Sequence, residues 1–466
     1  MTTTNVRETV PPADADSLTP SARRGIVAAC IGNFLEWYEF VLYGYFAAVF
    51  AVLFFPNDDP AVAMMMTFLV FGISFFVRPL GGVVFGYIGD RYGRKVTLSA
   101  IILMISLATA AMALVPPYAS IGVLAPICIL LLRCLQGLSA GGEWMGAAAY
   151  VVESAPAGRR AFFGSWQTIT IVLGMAVAAS TSFALSALLS PEALLSWGWR
   201  IPFLAALPLG LIGLYIRLKL EESPEFSEAR AEAAGPEKSP LMQAIKQHWR
   251  SILLVTALVC APTMCTYVLL IYLPTLLTET LGVETAAARG AILVSMLILV
   301  ALVVVFARLC DRFGRRPFIL AGAMWVLVAA VPGFILIHQG SLFAIIAGVV
   351  LILIGDAMML APQPALFCEL FPTTKRYSGL AIGYNLGVMI FGGAGPFVAA
   401  TLVSLSGSTF APSWYLMVGA AISLAGAWVV HETLGVSLRT GRRQTSSLLH
   451  AQEPLANPQS VGESVR

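Results

Sequence analysis

Gly89-Asp90-Arg91-Tyr92-Gly93-Arg94-Lys95 is a short charged turn set between long apolar runs, and roughly 220 residues later the chain repeats its pattern as Asp311-Arg312-Phe313-Gly314-Arg315-Arg316-Pro317. When a loop, rather than a core segment, is duplicated at such a period, each half of the chain reads as one structural repeat. The two loops then occupy equivalent places on one face.

Composition says where such a chain lives. Of its 466 residues 58% are hydrophobic and 11% charged, with a mean hydropathy of +0.83, whereas a soluble domain carries about 25% charged residues. The chain therefore belongs in a lipid bilayer. Its net charge of +3 comes mostly from basic residues in short loops, which report orientation and not a nucleic-acid surface, so no nucleic-acid partner is expected. Cys30, Cys128, Cys134, Cys260, Cys265, Cys310 and Cys368 are scattered, mostly within apolar runs and without CxxC spacing, and indicate neither a disulfide framework nor a zinc site. No metal and no cofactor is expected.

A membrane span needs roughly 20 apolar residues. Such runs lie near 25–55, 61–89, 96–116, 121–149, 161–188, 200–219, 250–278, 287–309, 317–337, 341–367, 377–404 and 412–432. They predict an all-α integral membrane protein of twelve transmembrane helices in two six-helix, pseudo-symmetric bundles. The first bundle covers 23–219 and the second 250–434; a charged, proline-punctuated linker occupies 220–249, and disordered cytoplasmic tails 1–22 and 435–466. The N-terminus lacks the basic-then-apolar order of a cleavable signal. Lys and Arg gather in alternate loops, including Arg159, Arg160, Arg315, Arg316, Lys375 and Arg376, while the opposite loops hold little but Arg200 and Arg289. By the positive-inside rule both termini and both charged turns are cytoplasmic.

Ionisable residues inside the spans are the informative ones, because each costs about 2.5–3.5 kcal/mol at bilayer depth unless it is paired or lines water. Glu36 and Glu39 lie three apart in the first span, on one helical stripe with Gly32 and Tyr43. Two carboxylates so close in a low dielectric do not both ionise cheaply, which makes the pair either a proton site or a structural ion pair. Arg78 sits in the second span, and Arg133 in the fourth, upstream of Gln136 and Glu143. A guanidinium grips a carboxylate through two parallel hydrogen bonds, so either arginine could hold an anionic or zwitterionic solute, or could neutralise Glu36, Glu39 or Glu143. Asp356 is the corresponding oddity of the tenth span. Tyr43, Gln136, Trp166, Gln167, Tyr267 and Asn385 could line a cavity or bind helix to helix. The glycine-rich patches 137–142 and 392–396 permit close helix approach and bending. No nucleophile, base and orienter stand at a recognisable spacing, so an enzyme is not expected.

Gly86 with Asp90, Arg91, Gly93, Arg94 and Lys95 resembles the signature loop of the major facilitator superfamily; the second copy carries Ala307 where the leading glycine would stand. Gly32-Asn33-Phe34-Leu35-Glu36-Trp37-Tyr38, Arg78-Pro79-Leu80-Gly81-Gly82, Gln136-Gly137, Gly141-Gly142-Glu143 and Trp197-Gly198-Trp199-Arg200-Ile201-Pro202-Phe203 look like the metabolite:proton symporter family within it. Residues 207–226 and 311–335 look most like its proline/betaine branch. The resemblance covers about residues 23–432 and implies a monomeric, multi-pass carrier of the bacterial inner membrane. Such a carrier moves a small zwitterionic or carboxylate solute together with H+ by alternating access. It implies cytoplasmic latches built from Asp90, Arg91 and Arg94 and from Asp311, Arg312 and Arg315. Glu39 stands where the family has Asp, and the long C-terminal coiled coil of the osmosensory member is not matched. Proton-coupled export of a metabolite or drug is a second reading, and a non-transporting receptor or scaffold a third.

Overall fold

The computed structural model describes residues 18, 20–92, 94–218, 240–371 and 373–436. Most of the expected linker and tails lies outside the described residues, as do the side chains of the first latch, Asp90, Arg91 and Arg94.

Apolar runs of membrane length become helices because backbone polar groups in lipid must be satisfied within the segment. Eleven helical segments among the described residues are long and apolar enough to span, and a twelfth, Val96–Met112, is apolar but shorter. In chain order the spanning helices are α1 (Pro20–Tyr45), α2 (Pro60–Tyr92), α3 (Arg94–Met112), α4 (Leu124–Ser154), α5 (Arg160–Leu188) and α6 (Arg200–Leu218). The second half holds α7 (Pro240–Cys265), α8 (Thr285–Phe313), α9 (Arg316–Ile337), α10 (Leu342–Leu360), α11 (Thr373–Gly387) and α12 (Ala411–Val429). Helix α7 runs on through a π-helical stretch, Thr266–Tyr272, and α11 through Val388–Gly393 into Gly395–Ser406.

Two boundaries differ from the hydropathy reading. The run at 25–55 is broken at Phe46 (φ −102°, ψ 17°), after which Ala47–Phe54 forms a separate short helix. Phe50 and Phe54 of that helix, with Phe46 before it, pack on Trp199 and Phe203 at 5.3–5.8 Å between centroids. That contact accounts for the Trp-x-Trp-Arg-x-Pro-Phe stretch, whose Arg200 donates to the Ala113 carbonyl at 2.9 Å. Helix α7 begins at Pro240 rather than near 250, and bends at His248 (φ −123°, ψ 21°). Hydropathy reports the part of a helix that meets lipid, not its polar extension.

The helix contacts repeat between halves. In the first, α1 packs with α5, α2 with α4, and α3 with α4 and α6; in the second, α7 packs with α11, α8 with α10, and α9 with α10 and α12. Adding six to each label converts one list into the other. Across the seam, α5 meets α8 and α2 meets α11. Glycine sets the close approaches, as the 137–142 patch suggests: a Cβ at Gly141 would strike the Arg78 carbonyl, and one at Gly72 would stand 3.0 Å from the Gly393 carbonyl of the π-helical stretch that continues α11.

The second charged turn holds the seam on the face that carries it. Gly314 (φ 103°) makes the turn out of α8, a conformation that penalises any side chain. Glu432 caps the start of α9 by accepting from the Arg315 and Arg316 amides at 2.9 and 3.0 Å. Arg315, fully buried, lies 3.3 Å from Asp311 and 3.4 Å from Glu369. Asp311 accepts from the amides of Ala161 and Phe162 at 2.9 and 2.8 Å, satisfying the free N–H groups of the first turn of α5 in the other half. Arg312 stands apart, exposed, with its guanidinium 5.3 Å from the Phe313 ring. At the opposite end of the same helix pair, Arg289 of α8 donates to Ser186 Oγ at 2.7 Å and to the Ser182 carbonyl at 3.4 Å, near the C-terminus of α5.

Candidate functional site: buried polar residues between the halves

Glu36 and Glu39 are both buried, yet they enter different surroundings. Glu39 receives a hydrogen bond from Ser106 Oγ at 2.7 Å and a longer one from Thr109 Oγ1 at 3.4 Å. Gln136 joins this group, donating to Thr109 Oγ1 at 2.6 Å and accepting from Arg133 Nη1 at 2.8 Å. Glu39 is thus a carboxyl served by neutral donors, with no cation in salt-bridge contact among the described residues. Such a group is well placed to carry a proton, because taking an unpaired carboxylate out of water is costly. Glu36 leaves Oε2 without a partner and lies within electrostatic reach of Arg78 and Arg217.

The two mid-span arginines are served differently. Arg133 is fully buried; its two Nη groups donate to the carbonyls of Phe40 (2.9 Å) and Phe71 (3.4 Å), to Ser74 Oγ (3.0 Å) and to Gln136, and its Nε alone lacks a partner. The rings of Phe40, Tyr43 and Phe71 surround its guanidinium at 4.5–4.9 Å. Tyr43 donates its hydroxyl to the Thr67 carbonyl at 3.1 Å. Arg78 is 2% exposed, and its Nε and Nη2 have no partner. Its guanidinium lies over Phe40 and Phe75 at 4.5 Å and over Trp37 at 5.6 Å. Cation–π contact lowers the cost of this burial but leaves the donors open.

Other polar atoms are left open in the helices of both halves. Tyr267 of the second half packs its ring on Phe75 (5.2 Å) and Trp37 (6.3 Å), and its hydroxyl has no partner. Gln167 of α5 is fully buried with both side-chain polar atoms free. Asn385 of α11 donates to the Gly141 carbonyl of α4 at 3.0 Å and leaves Oδ1 free. Beside it, Tyr384 stacks on Trp144 of α4 at 4.0 Å and 6° between ring planes. Tyr267 and Tyr384 both lie within electrostatic reach of Arg78 and Glu36. Buried polar atoms are normally paired, so this many unpaired ones where two bundles meet mark a place for water or a ligand. Open guanidinium donors beside aromatic faces and a carboxylate suit a small molecule that carries both a carboxylate and a cationic nitrogen.

Three residues expected here lie elsewhere or act differently. Glu143 is ion-paired to Arg217 of α6, which also donates to the Leu98 carbonyl at 2.6 Å. Trp166 is 39% exposed, edge-on to Phe162 at 6.4 Å. Asp356 is fully buried in α10 with neither oxygen partnered, within reach of Cys265 in α7 and in no ion pair among the described residues. Arg217, Trp37, Trp144 and Tyr384 escaped the sequence reading. Arg217 sits at the end of an apolar run, where a basic residue normally marks the interface, and aromatic residues in a span carry no signal of burial.

Comparison with known proteins agrees with this architecture. Residues 25–443 match the model of the family described as sugar (and other) transporter. The chain is 37% identical over 462 residues to the glycine betaine/proline/ectoine/pipecolic acid transporter OusA of Dickeya dadantii, covering 96% of this chain and 92% of that protein. It is likewise 37% identical over 441 residues to the proline/betaine transporter of Salmonella typhimurium, covering 93% and 88%. Among solved structures it is similar to the proton:xylose symporter XylE bound to 6-bromo-6-deoxy-D-glucose. There the TM-score is 0.75 at 18% identity, covering 90% of this chain and 98% of that one.

Proposed function

Because the chain belongs to the sugar (and other) transporter family of the major facilitator superfamily, a family of transporters and not of enzymes, we propose that it is a proton-coupled symporter of a small zwitterion of the proline or betaine kind. The observation that carries the reading is Arg78: a buried guanidinium at the seam of the two halves, with open donors and no carboxylate in salt-bridge contact among the described residues. A solute carboxylate completes its hydrogen bonds, while the faces of Trp37, Trp144, Tyr267 and Tyr384 offer the π-surface that quaternary or secondary ammonium groups prefer. Glu39 takes up the proton from the outward side and releases it inward, with about 2.3 kcal/mol per charge per 100 mV of membrane potential driving the exchange. Glu36, between Arg78 and Arg217, senses whether the solute carboxylate is present.

In this reading the charged turns face the cytoplasm of a bacterial inner membrane with both termini on that side, as the basic-loop asymmetry supports, and a single chain carries one crevice and works as a monomer. The turn at Asp311 and Arg315 closes the inner end until the halves rock apart. The test is uptake into proteoliposomes under an imposed inward proton gradient, across proline, glycine betaine, ectoine, 2-oxoglutarate, shikimate and citrate. Accumulation of the zwitterions with alkalinisation of the medium is expected. Accumulation of the dicarboxylate or tricarboxylate alone, or uptake indifferent to the gradient, would overturn it.

A further inference from the structure

At the end of the molecule opposite the charged turns, the last turns of α1 and α5, the stretch after α7 and the start of α8 enclose a cavity of about 50 Å³, room for a few water molecules. Arg289 and Glu279 line it together with Tyr45. The two charged groups lie within electrostatic reach of each other yet form no ion pair. Arg289 spends one Nη on Ser186 and the Ser182 carbonyl, Glu279, exposed at the rim, accepts from the neighbouring Thr278 hydroxyl at 3.3 Å, and the Tyr45 hydroxyl is buried without a partner. A cation and an anion held apart in one cavity form a dipolar slot. The molecule that fits is one whose own opposite charges lie a few ångströms apart.

We propose that this cavity is an outer solute site, separate from the Arg78 crevice, which receives a small zwitterion with its carboxylate toward Arg289 and its cationic nitrogen toward Glu279. Tyr45 supplies a third contact through its hydroxyl. The assignment rests on the zwitterion reading above. The slot sits behind the Arg289 contact that joins α8 to α5, on the side from which an imported solute arrives, so it concentrates solute at the mouth before the halves rock. A site of this kind sets apparent affinity and leaves the maximal rate to the crevice.

The experiment is uptake of L-proline and of glycine betaine by proteoliposomes bearing the full chain or its variants. Arg289→Gln and Glu279→Gln should each raise KM about five- to tenfold, with the maximal rate within about twofold of the unaltered protein. The charge-swapped double variant, Arg289→Glu with Glu279→Arg, should bring KM back to within about threefold, since a reversed slot takes the same zwitterion end for end. Ser186→Ala, which strips the α5 contact but not the slot, should leave KM in place. A swap no better than the single variants, an unmoved KM in both neutralised variants, or a fall confined to the maximal rate would overturn the outer site and leave Arg289 as a helix clasp only. If a variant does not fold, the KM for L-proline uptake by the Tyr45→Phe protein decides: a rise of about threefold or more supports the outer site, and an unmoved value overturns it. No uptake of either probe by the unaltered protein would overturn the functional reading and this site with it, whereas normal uptake with an unmoved KM overturns the site alone.

Discussion

Glu143 is clasped by Arg217, a residue of the same half, and that single pairing leaves both Arg78 and Arg133 without a carboxylate partner among the described residues. The pair is buried, so removing one member strands the other in a low dielectric. Glu143→Gln or Arg217→Gln is expected to cost about 3–5 kcal/mol, read as a fall in the thermal unfolding midpoint of the purified protein. The double variant should recover much of that loss. A single variant as stable as the parent would show that the pair is solvated.

Arg78 is expected to be intolerant even of lysine. A lysine keeps the charge but not the planar fork that matches a carboxylate. Arg78→Lys should raise the dissociation constant for L-proline at least tenfold, about 1.4 kcal/mol, and Arg78→Ala further. Equilibrium binding with the labelled solute checks this; parental affinity in the lysine variant would place the solute carboxylate elsewhere.

For Glu39 the expected signature is a split between two assays. Glu39→Gln keeps the hydrogen bonds from Ser106 and Thr109 possible but cannot exchange a proton. Uptake driven by a proton gradient should stop at the equilibrium level, while exchange of labelled for unlabelled solute continues. Gradient-driven accumulation equal to that of the parent would exclude Glu39 as the coupling site.

Asp311→Asn should loosen the seam on the charged-turn face, since the carboxylate accepts from two amides of α5 and neighbours Arg315. Charge-assisted hydrogen bonds of this kind contribute about 1.5–3 kcal/mol each. The Ala161 and Phe162 amides are expected to exchange hydrogen about tenfold faster or more in the variant. Unchanged protection there would mean that the contact does not hold the halves together.

Much of the architecture was legible from residues alone. Runs of lipid length produce spans, and the turn at 89–95 repeated at 311–317 reveals the duplication before any contact is known. Pairing was not legible, because helical phase says which residues share a face but not which neighbour that face meets. Glu36 and Glu39 show it: 60° apart around one helix, Glu39 meets hydroxyls of α3 while Glu36 comes within electrostatic reach of Arg78 and Arg217. Asp311 and Arg315 sit at the seam while Arg312, between them in the chain, is exposed. A motif of alternating charges cannot declare which of its members turns inward until the adjoining helices are in place.

Two of the contacts between halves are made of different materials. Where α5 meets α8, Asp311 and Arg289 grip the opposite ends of one helix with groups that suit its dipole, whereas Gly72 lets α2 meet the continuation of α11, at Gly393, backbone against backbone. One side resists sliding until a charged contact breaks; the other meets through close backbone, the Asn385 amide on the Gly141 carbonyl and the Tyr384–Trp144 stack. Motion in such a body resembles a gate bolted on one post and hinged on the other, so its timing is governed by the Asp311 bolt at the charged-turn end and not by the bulk of the moving parts.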